Sequence, residues 1–167
     1  MRILGIDPGS RICGWGIIEE TRSPQSIVHV DNGLIAPKAR LPLAERLAFI
    51  YDGIKKIIED YRPDQVSVEG LFYAKNARSA LVLGHARGVA LLAATHAGLP
   101  VHEYAPAQIK QAVCGYGRAD KGQVARMVMA VLSLPEVAQT DASDALACAI
   151  CHCNSYRYKN ALEKSQE

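Results

Sequence analysis

The sequence predicts a single α/β domain in which helices cover the faces of a mixed β-sheet. Three observations support this fold class: short apolar runs separated by turns at the start of the chain, an apolar repeat of helical period from residue 43, and alternating strand and helix patterns after it. A chain of 167 residues can bury one sizeable core. We therefore expect one domain over residues 1–154 and a polar, flexible tail over 155–167.

The first part of the chain predicts three strands. A short apolar run over residues 3–6 stops at the turn Asp7-Pro-Gly-Ser10. Extended patterns follow over residues 13–18 and 26–36. Connections this short favour an antiparallel meander.

The rest of the chain alternates between helices and strands. Apolar residues recur at helical spacing from Leu43 to Tyr61, and Pro63 ends that helix. The elements predicted after it are a strand over 65–69, a helix over 77–97, a strand over 101–104, and helices over 107–113, 121–132 and 141–154.

The composition narrows the location and the partners. The chain opens without the apolar stretch of a signal peptide and contains no run near the roughly 20 apolar residues of a membrane span, so we expect a cytoplasmic protein. Its five cysteines, an odd number, favour reduced thiols over disulfides. The segment from Lys75 to Arg126 contains seven lysines and arginines and only two acidic residues. This excess of positive charge would suit a polyanionic substrate, but it is equally typical of a solvated helix face.

Four acidic residues stand where a divalent metal site is expected. Asp7 ends the first predicted strand and Glu69 ends the fourth, so their side chains would enter one crevice if those strands are neighbours. Asp141 and Asp144 lie three residues apart at the start of a helix, on one side of it. Carboxylate oxygens select Mg²⁺ or Mn²⁺ rather than zinc. Two such ions about 4 Å apart can clamp a phosphodiester.

Each acid also has a purely structural interpretation. Asp7 could belong to a plain turn and Glu69 could be a surface residue at a strand end. Asp141 could be a helix N-cap, with Asp144 favoured in the first turn by the helix dipole. Only the four together, in this order, favour the metal site.

Several segments resemble the RuvC resolvases, a family of the RNase H-like nuclease superfamily. The likeness begins with Ile6–Gly16, which is similar to the first hairpin of that family, and it runs from Met1 to about residue 153. The other matching segments are Val68–Leu81, Leu83–Val89, Tyr104–Gln111 and Asp141–Ala147.

The resemblance implies an RNase H-like fold with a five-stranded mixed sheet. It also implies that Asp7, Glu69, Asp141 and Asp144 are catalytic carboxylates that bind Mg²⁺. From the chemistry of oxygen ligands we expect two ions per site, with Mn²⁺ able to substitute. The implied activity is that of a homodimer that places symmetric nicks in two strands of like polarity of a four-way (Holliday) junction, leaving 5′-phosphate and 3′-hydroxyl ends. Contact with the RuvA–RuvB branch-migration complex is implied in the same way.

The resemblance and the local composition together predict DNA contacts. The family's aromatic residue for junction bases falls on Phe72, and its important lysines fall on Lys110 and Lys121. Aromatic and basic residues alternate after Glu69, a pattern that suits stacking on unpaired bases; it adds Tyr73, Lys75 and Arg78. Without the resemblance, Phe72 would be taken to pack against the sheet. Lys121 opens a helix, where free backbone N–H groups favour a phosphate.

Two further patterns are less specific. The helix over residues 81–94 is apolar on more than one stripe, and Gly84, Ala86 and Gly88 would let a second copy approach, although a buried helix would look the same. Cys148-Ala-Ile-Cys-His152 matches a c-type haem motif and could suggest zinc, but we expect neither, because the chain lacks an export signal and a second ligand pair. The cysteines instead fit a core-facing stripe.

Two other functions remain to be weighed against the nuclease. Nucleotide-binding folds of the actin and sugar-kinase type also begin with a strand and an Asp-x-Gly turn, but they need two such domains and a longer chain. A junction-binding module without catalysis would fit the same fold, but an incomplete set of acids would then be expected.

Overall fold

The computed structural model describes residues 1–21, 26–70 and 77–164. It contains ten elements in the predicted order: β1 (Arg2–Asp7), β2 (Cys13–Glu20), β3 (Ile27–Ile35), α1 (Leu43–Tyr61), β4 (Gln65–Glu69), α2 (Ala77–His96), β5 (Val101–Tyr104), α3 (Pro106–Cys114), α4 (Lys121–Leu132) and α5 (Thr140–Lys164). Within the described ranges, no helix is both long enough and apolar enough to cross a membrane.

The five strands form one mixed sheet in the order β3-β2-β1-β4-β5. β1, β2 and β3 pair antiparallel, which confirms the predicted meander, and β4 runs parallel to both β1 and β5. β1 and β4 lie inside the sheet and are covered on both faces. Their apolar residues are accordingly inaccessible to solvent over nearly the whole strand, as in Ile3, Leu4 and Val66.

The sheet separates two apolar cores. Side chains that alternate along β1 enter different clusters: Ile3 packs with residues of α3, α4 and α5, and Leu4 packs with residues of α1 and α2. Two helices therefore cover one face and three helices cover the other, as the fold class predicts.

α5 packs directly against the backbone of β1 and β2. A Cβ atom on Gly5 would stand 2.0 Å from the Ala145 carbonyl oxygen, and one on Gly14 would stand 2.0 Å from the Asp141 carbonyl oxygen. Real atoms do not approach so closely, so only glycine is compatible with this packing. The first two turns of α5 are thereby fixed over β1 and β2.

Helix α5 is longer and more deeply buried than the sequence predicted. We expected a helix ending near Asn154 with one core-facing stripe, but the helix continues to Lys164. Its continuation is anchored because Arg157 Nε donates to Glu20 Oε1 at 2.7 Å. Over residues 142–153 every position except Asp144 is buried, since the helix lies between the sheet and α3 and α4. The division into a domain and a flexible tail stays a prediction.

The cysteines of α5 belong to this core. Cys148, Cys151 and Cys153 are at most 1% exposed and pack with Ile150 and with residues of α3 and α4. All five cysteines of the chain have free thiols, in agreement with the expected reduced state. Burial raises the pKa of each of these three α5 thiols, which favours the uncharged form.

His152 on α5 forms a buried polar network that the sequence did not reveal. Its Nε2 lies 2.5 Å from Gln65 Oε1, and its Nδ1 lies 2.7 Å from the Tyr104 hydroxyl. Because an amide oxygen only accepts, Nε2 carries the proton and Nδ1 accepts from Tyr104, as in a neutral imidazole. Burial, reinforced by the neighbouring His102 ring stacked at 4.3 Å, lowers the pKa of His152 to about 4.

We predict that this histidine makes the fold sensitive to acid. Its pKa is about 6.5 in an unfolded chain, so between pH 6.5 and 4 the unfolded state binds a proton that the folded state excludes. The contribution of His152 to the free energy of unfolding should fall with decreasing pH in that window, by about 2 kcal/mol between pH 7.5 and 5. Urea unfolding at the two pH values measures it. His152→Gln should lose this part of the pH dependence, and the exposed His85→Gln should keep it; equal dependence in both variants would contradict the assignment.

Candidate active site

Asp7 and Glu69 leave the sheet side by side. β1 and β4 are parallel neighbours, and Ile6 stands opposite Val68 in the register. The next residue of each strand is its last one, so the two carboxylates emerge at the same edge. The condition on which the sequence prediction depended, that the first and fourth strands are adjacent, is confirmed.

α5 brings the other two acids to the same edge. The helix begins at Thr140, so Asp141 lies in its first turn and is not an N-cap. Asp144 lines a cavity of about 110 Å³ together with Asp7 and Glu69. Asp141 is not part of the cavity lining, but its charge acts on Asp7. The remaining wall of the cavity consists of Pro106, Ile109, Lys110, Lys121 and Val124.

Burial, together with repulsion between the carboxylates, raises the pKa of two of the acids. Burial raises the pKa of Asp7 to about 8, and the charges of Glu69, Asp144 and Asp141 add to the effect. The pKa of Glu69 is also raised, first by burial and then by Asp144, while a hydrogen bond with Asp7 opposes the shift. The site therefore favours the protonated form of both acids when no cation is bound. Raised pKa values of this kind are typical of catalytic or cation-binding sites.

Two lysines from neighbouring helices compensate part of this charge. Lys121 Nζ lies 2.8 Å from Asp144 Oδ2, and this hydrogen bond is the main reason why the pKa of Lys121 is raised. Lys121 is held at the start of α4 by a capping box, in which Asp120 accepts from the Gln123 N–H at 2.9 Å and Gln123 Oε1 accepts from the Asp120 N–H. Lys110 reaches the cavity from α3 and lowers the pKa of Glu69.

The acids fit a hard divalent cation by their chemistry. The donor set consists of carboxylate oxygens alone, and a dication would relieve the repulsion that raises the pKa of Asp7 and Glu69. Within residues 1–21, 26–70 and 77–164, however, no three His, Cys, Asp or Glu side chains are already grouped closely enough to hold a metal ion. The carboxylates would therefore have to move closer together to hold an ion.

The predicted DNA contacts divide into three groups. Lys110 and Lys121 join the acids, as described above. Phe72, Tyr73 and Lys75 lie outside the described residues. Arg78, in the first turn of α2, does not line the acidic cavity and instead lines a separate groove with Arg11 and Arg46.

Comparisons with known proteins identify the family of the chain. The family described as "Crossover junction endodeoxyribonuclease RuvC" matches residues 3–152. A protein of that name from Syntrophotalea carbinolica is 57% identical over 162 residues, which are 97% of this chain and 99% of the relative.

Two solved structures of Thermus thermophilus RuvC are also similar. The protein by itself superimposes with a TM-score of 0.86 at 34% identity, over 95% of this chain and 97% of the other. The protein in complex with a Holliday junction substrate superimposes with a TM-score of 0.89 at 33% identity, over 95% and 96% of the two chains. By its sequence, its RNase H-like fold and the extent of both matches, this chain belongs to the RuvC family of crossover junction endodeoxyribonucleases.

Proposed function

We propose that this protein resolves Holliday junctions as a Mg²⁺-dependent endonuclease, nicking two strands of like polarity symmetrically and leaving 5′-phosphate and 3′-hydroxyl ends. The observation that carries the proposal is the convergence of Asp7, Glu69 and Asp144 on one cavity, with Asp141 beside it. Membership in a family of crossover junction endodeoxyribonucleases supports the reaction class.

The proposed roles follow from how each residue is held. Two Mg²⁺ ions, or Mn²⁺ in their place, would supply the positive charge that activates water and stabilises the leaving oxygen. Asp7 and Glu69 are fixed on adjacent strand ends, so their separation is set by the sheet. Lys121 and Lys110 line the cavity as cations that can hold a strand phosphate. Lys121 would then exchange the oxygen of Asp144 for a phosphate oxygen.

The substrate and the assembly are proposed from different observations. A four-way junction is supported by the likeness to Thermus thermophilus RuvC solved with that DNA. A homodimer is supported by α2, on which Leu81 and Leu92 are 66% and 47% exposed and a Cβ at Gly84 or Gly88 would meet no described atom within 4 Å. A twofold axis would present two equivalent sites to a substrate of matching symmetry. Contact with RuvA–RuvB and the cytoplasmic location stay predictions.

Asp7→Asn should abolish cleavage and preserve binding. The change keeps the shape of the side chain but replaces a carboxylate oxygen, a ligand for the cation, with an amide nitrogen. A loss of several kcal/mol in transition-state stabilisation corresponds to at least about 1000-fold in rate. An end-labelled synthetic junction with Mg²⁺ measures cutting, and the same junction with Ca²⁺ measures binding. Asp52→Asn, an exposed change on α1, is the matched control. Cutting by Asp7→Asn within a few-fold of the unmodified protein would remove Asp7 from the site.

The same assay with the unmodified protein tests whether it is an enzyme at all. Metal-dependent cleavage that stops on addition of a chelator is expected. Junction binding without any such cleavage would favour a non-catalytic binding module.

Leu81→Glu should dissociate the dimer. A carboxylate placed on the exposed apolar side of α2 would have to be desolvated in the interface, so the dissociation constant should rise at least about tenfold. Sedimentation velocity at several protein concentrations measures the change. Leu162→Glu, an exposed position near the end of α5, is the control and should leave the dimer intact. A dimer of unchanged strength in Leu81→Glu would place the interface elsewhere.

A further inference from the structure

A second cavity opens on the other side of the sheet from the acids. It measures about 480 Å³ and lies between the turn after β1 and the starts of α1 and α2. We call it the arginine groove. Its described lining consists of Ser10, Arg11, Arg46, Arg78, Ser79, Val82 and Leu83.

A hydrogen bond to the main chain holds the Arg46 side chain in this groove. Its Nη1 donates to the Ser10 carbonyl oxygen at 3.2 Å, which fixes the guanidinium beneath the β1–β2 turn. Its Nε is buried and has no hydrogen-bond partner among the residues that the structure describes. Nε and Nη2 form the edge of a guanidinium that binds two oxygens of a phosphate at once. A donor of a charged group is costly to leave unpaired, so this edge would be stabilised by an anion that reaches it from the groove.

The surroundings of Arg46 favour the same ligand. Arg11 and Arg78 line the groove from two other segments, and no carboxylate is found in its described lining. α2 starts at the groove, and no acidic side chain in its first turn offsets the positive end of its dipole. Three guanidinium groups and a helix N-terminus concentrate positive charge on one open surface.

The position of the groove relates it to the catalytic acids. Asp7 ends β1, and the turn that follows it carries Ser10 and Arg11. The acidic cavity is walled by residues of α3, α4 and α5, and the arginine groove by residues of α1 and α2, so the two open on opposite sides of one sheet edge. Four residues of chain span at most roughly 14 Å. That distance corresponds to about four nucleotides at a rise of 3.4 Å per nucleotide.

We infer that the arginine groove binds a phosphodiester of the cleaved DNA strand, within about four nucleotides of the bond that is cut. The inference rests on the proposed nuclease function and adds a positioning site on the side of the acids opposite to Lys110 and Lys121. Arg46 is a positioning residue in this account: it holds the strand in register and does not touch the reacting atoms.

Arg46→Gln tests the inference by its effect on junction binding. Fluorescence anisotropy with Ca²⁺, at a series of salt concentrations, should show binding weakened about tenfold and a salt dependence reduced by about one phosphate contact. Lys55→Gln, which removes an equal charge from the exposed side of the same helix, should bind as the unmodified protein does. Equal affinity and equal salt dependence in the two variants would overturn the inference.

Junctions with one uncharged backbone linkage distinguish phosphate binding by Arg46 from a purely structural role of this residue. Junctions carrying one methylphosphonate, placed in turn at each position within four nucleotides of the cut, should include one that weakens binding to the unmodified protein but not to Arg46→Gln. Arg46→Lys, which restores the charge without the fork, should recover part of the affinity. If Arg46→Gln merely disturbs the turn, every methylphosphonate will weaken binding equally in both proteins, and the inference fails.

Two outcomes distinguish the remaining explanations. If the unmodified protein neither binds nor cuts a four-way junction, the proposed function fails; if it does both and only the Arg46 result is absent, the groove inference alone fails. Inorganic phosphate at constant ionic strength should displace the junction no better than chloride, because the groove is open and takes phosphate as part of a strand. Displacement by low-millimolar phosphate would instead identify a site for the free anion and contradict the inference.

Discussion

The arrangement of the candidate active site depends on the contact between the backbone of α5 and two strands of the sheet. Gly5 and Gly14 carry no side chain, and a Cβ atom at either position would collide with a carbonyl oxygen of the helix. This contact fixes the height and rotation of the first turns of α5 over β1 and β2. Asp141 and Asp144 reach the end of β1 as a consequence, although they are more than 130 residues from Asp7 along the chain.

The cost of this arrangement is electrostatic. Packing removes water from Asp7 and Glu69 and brings further carboxylates near them, so both carboxyl groups hold their protons more tightly than they would in water. Lys121 offsets part of the repulsion through Asp144. A site in which several carboxyl groups repel one another is well suited to bind cations. Once cations are bound, a phosphodiester can approach this edge of the sheet, which would otherwise repel it.

Local patterns were sufficient to predict the elements but not the contacts between them. Apolar periodicity and turn residues located all ten elements, and α4 was predicted with its observed bounds. The convergence of Asp7 and Glu69 depended on strand order, which the spacing of residues does not determine. The same limit applies to Arg46 with Ser10 and to His152 with Gln65, pairs that are 36 and 87 residues apart. The burial of α5 on all sides came from its central position, which no stripe of apolar residues encodes.

Binding of Mn²⁺, followed by the loss of the free-ion electron paramagnetic resonance signal, tests most directly whether these acids act as one cation site. We expect saturable binding to the unmodified protein and its loss in Asp7→Asn/Asp144→Asn, a variant that should fold because the change removes repulsion between the carboxylates. Asp52→Asn/Asp60→Asn, with the same change of charge on the exposed side of α1, should bind as before. A folded Asp7→Asn/Asp144→Asn protein that binds Mn²⁺ with unchanged affinity and stoichiometry would contradict the account.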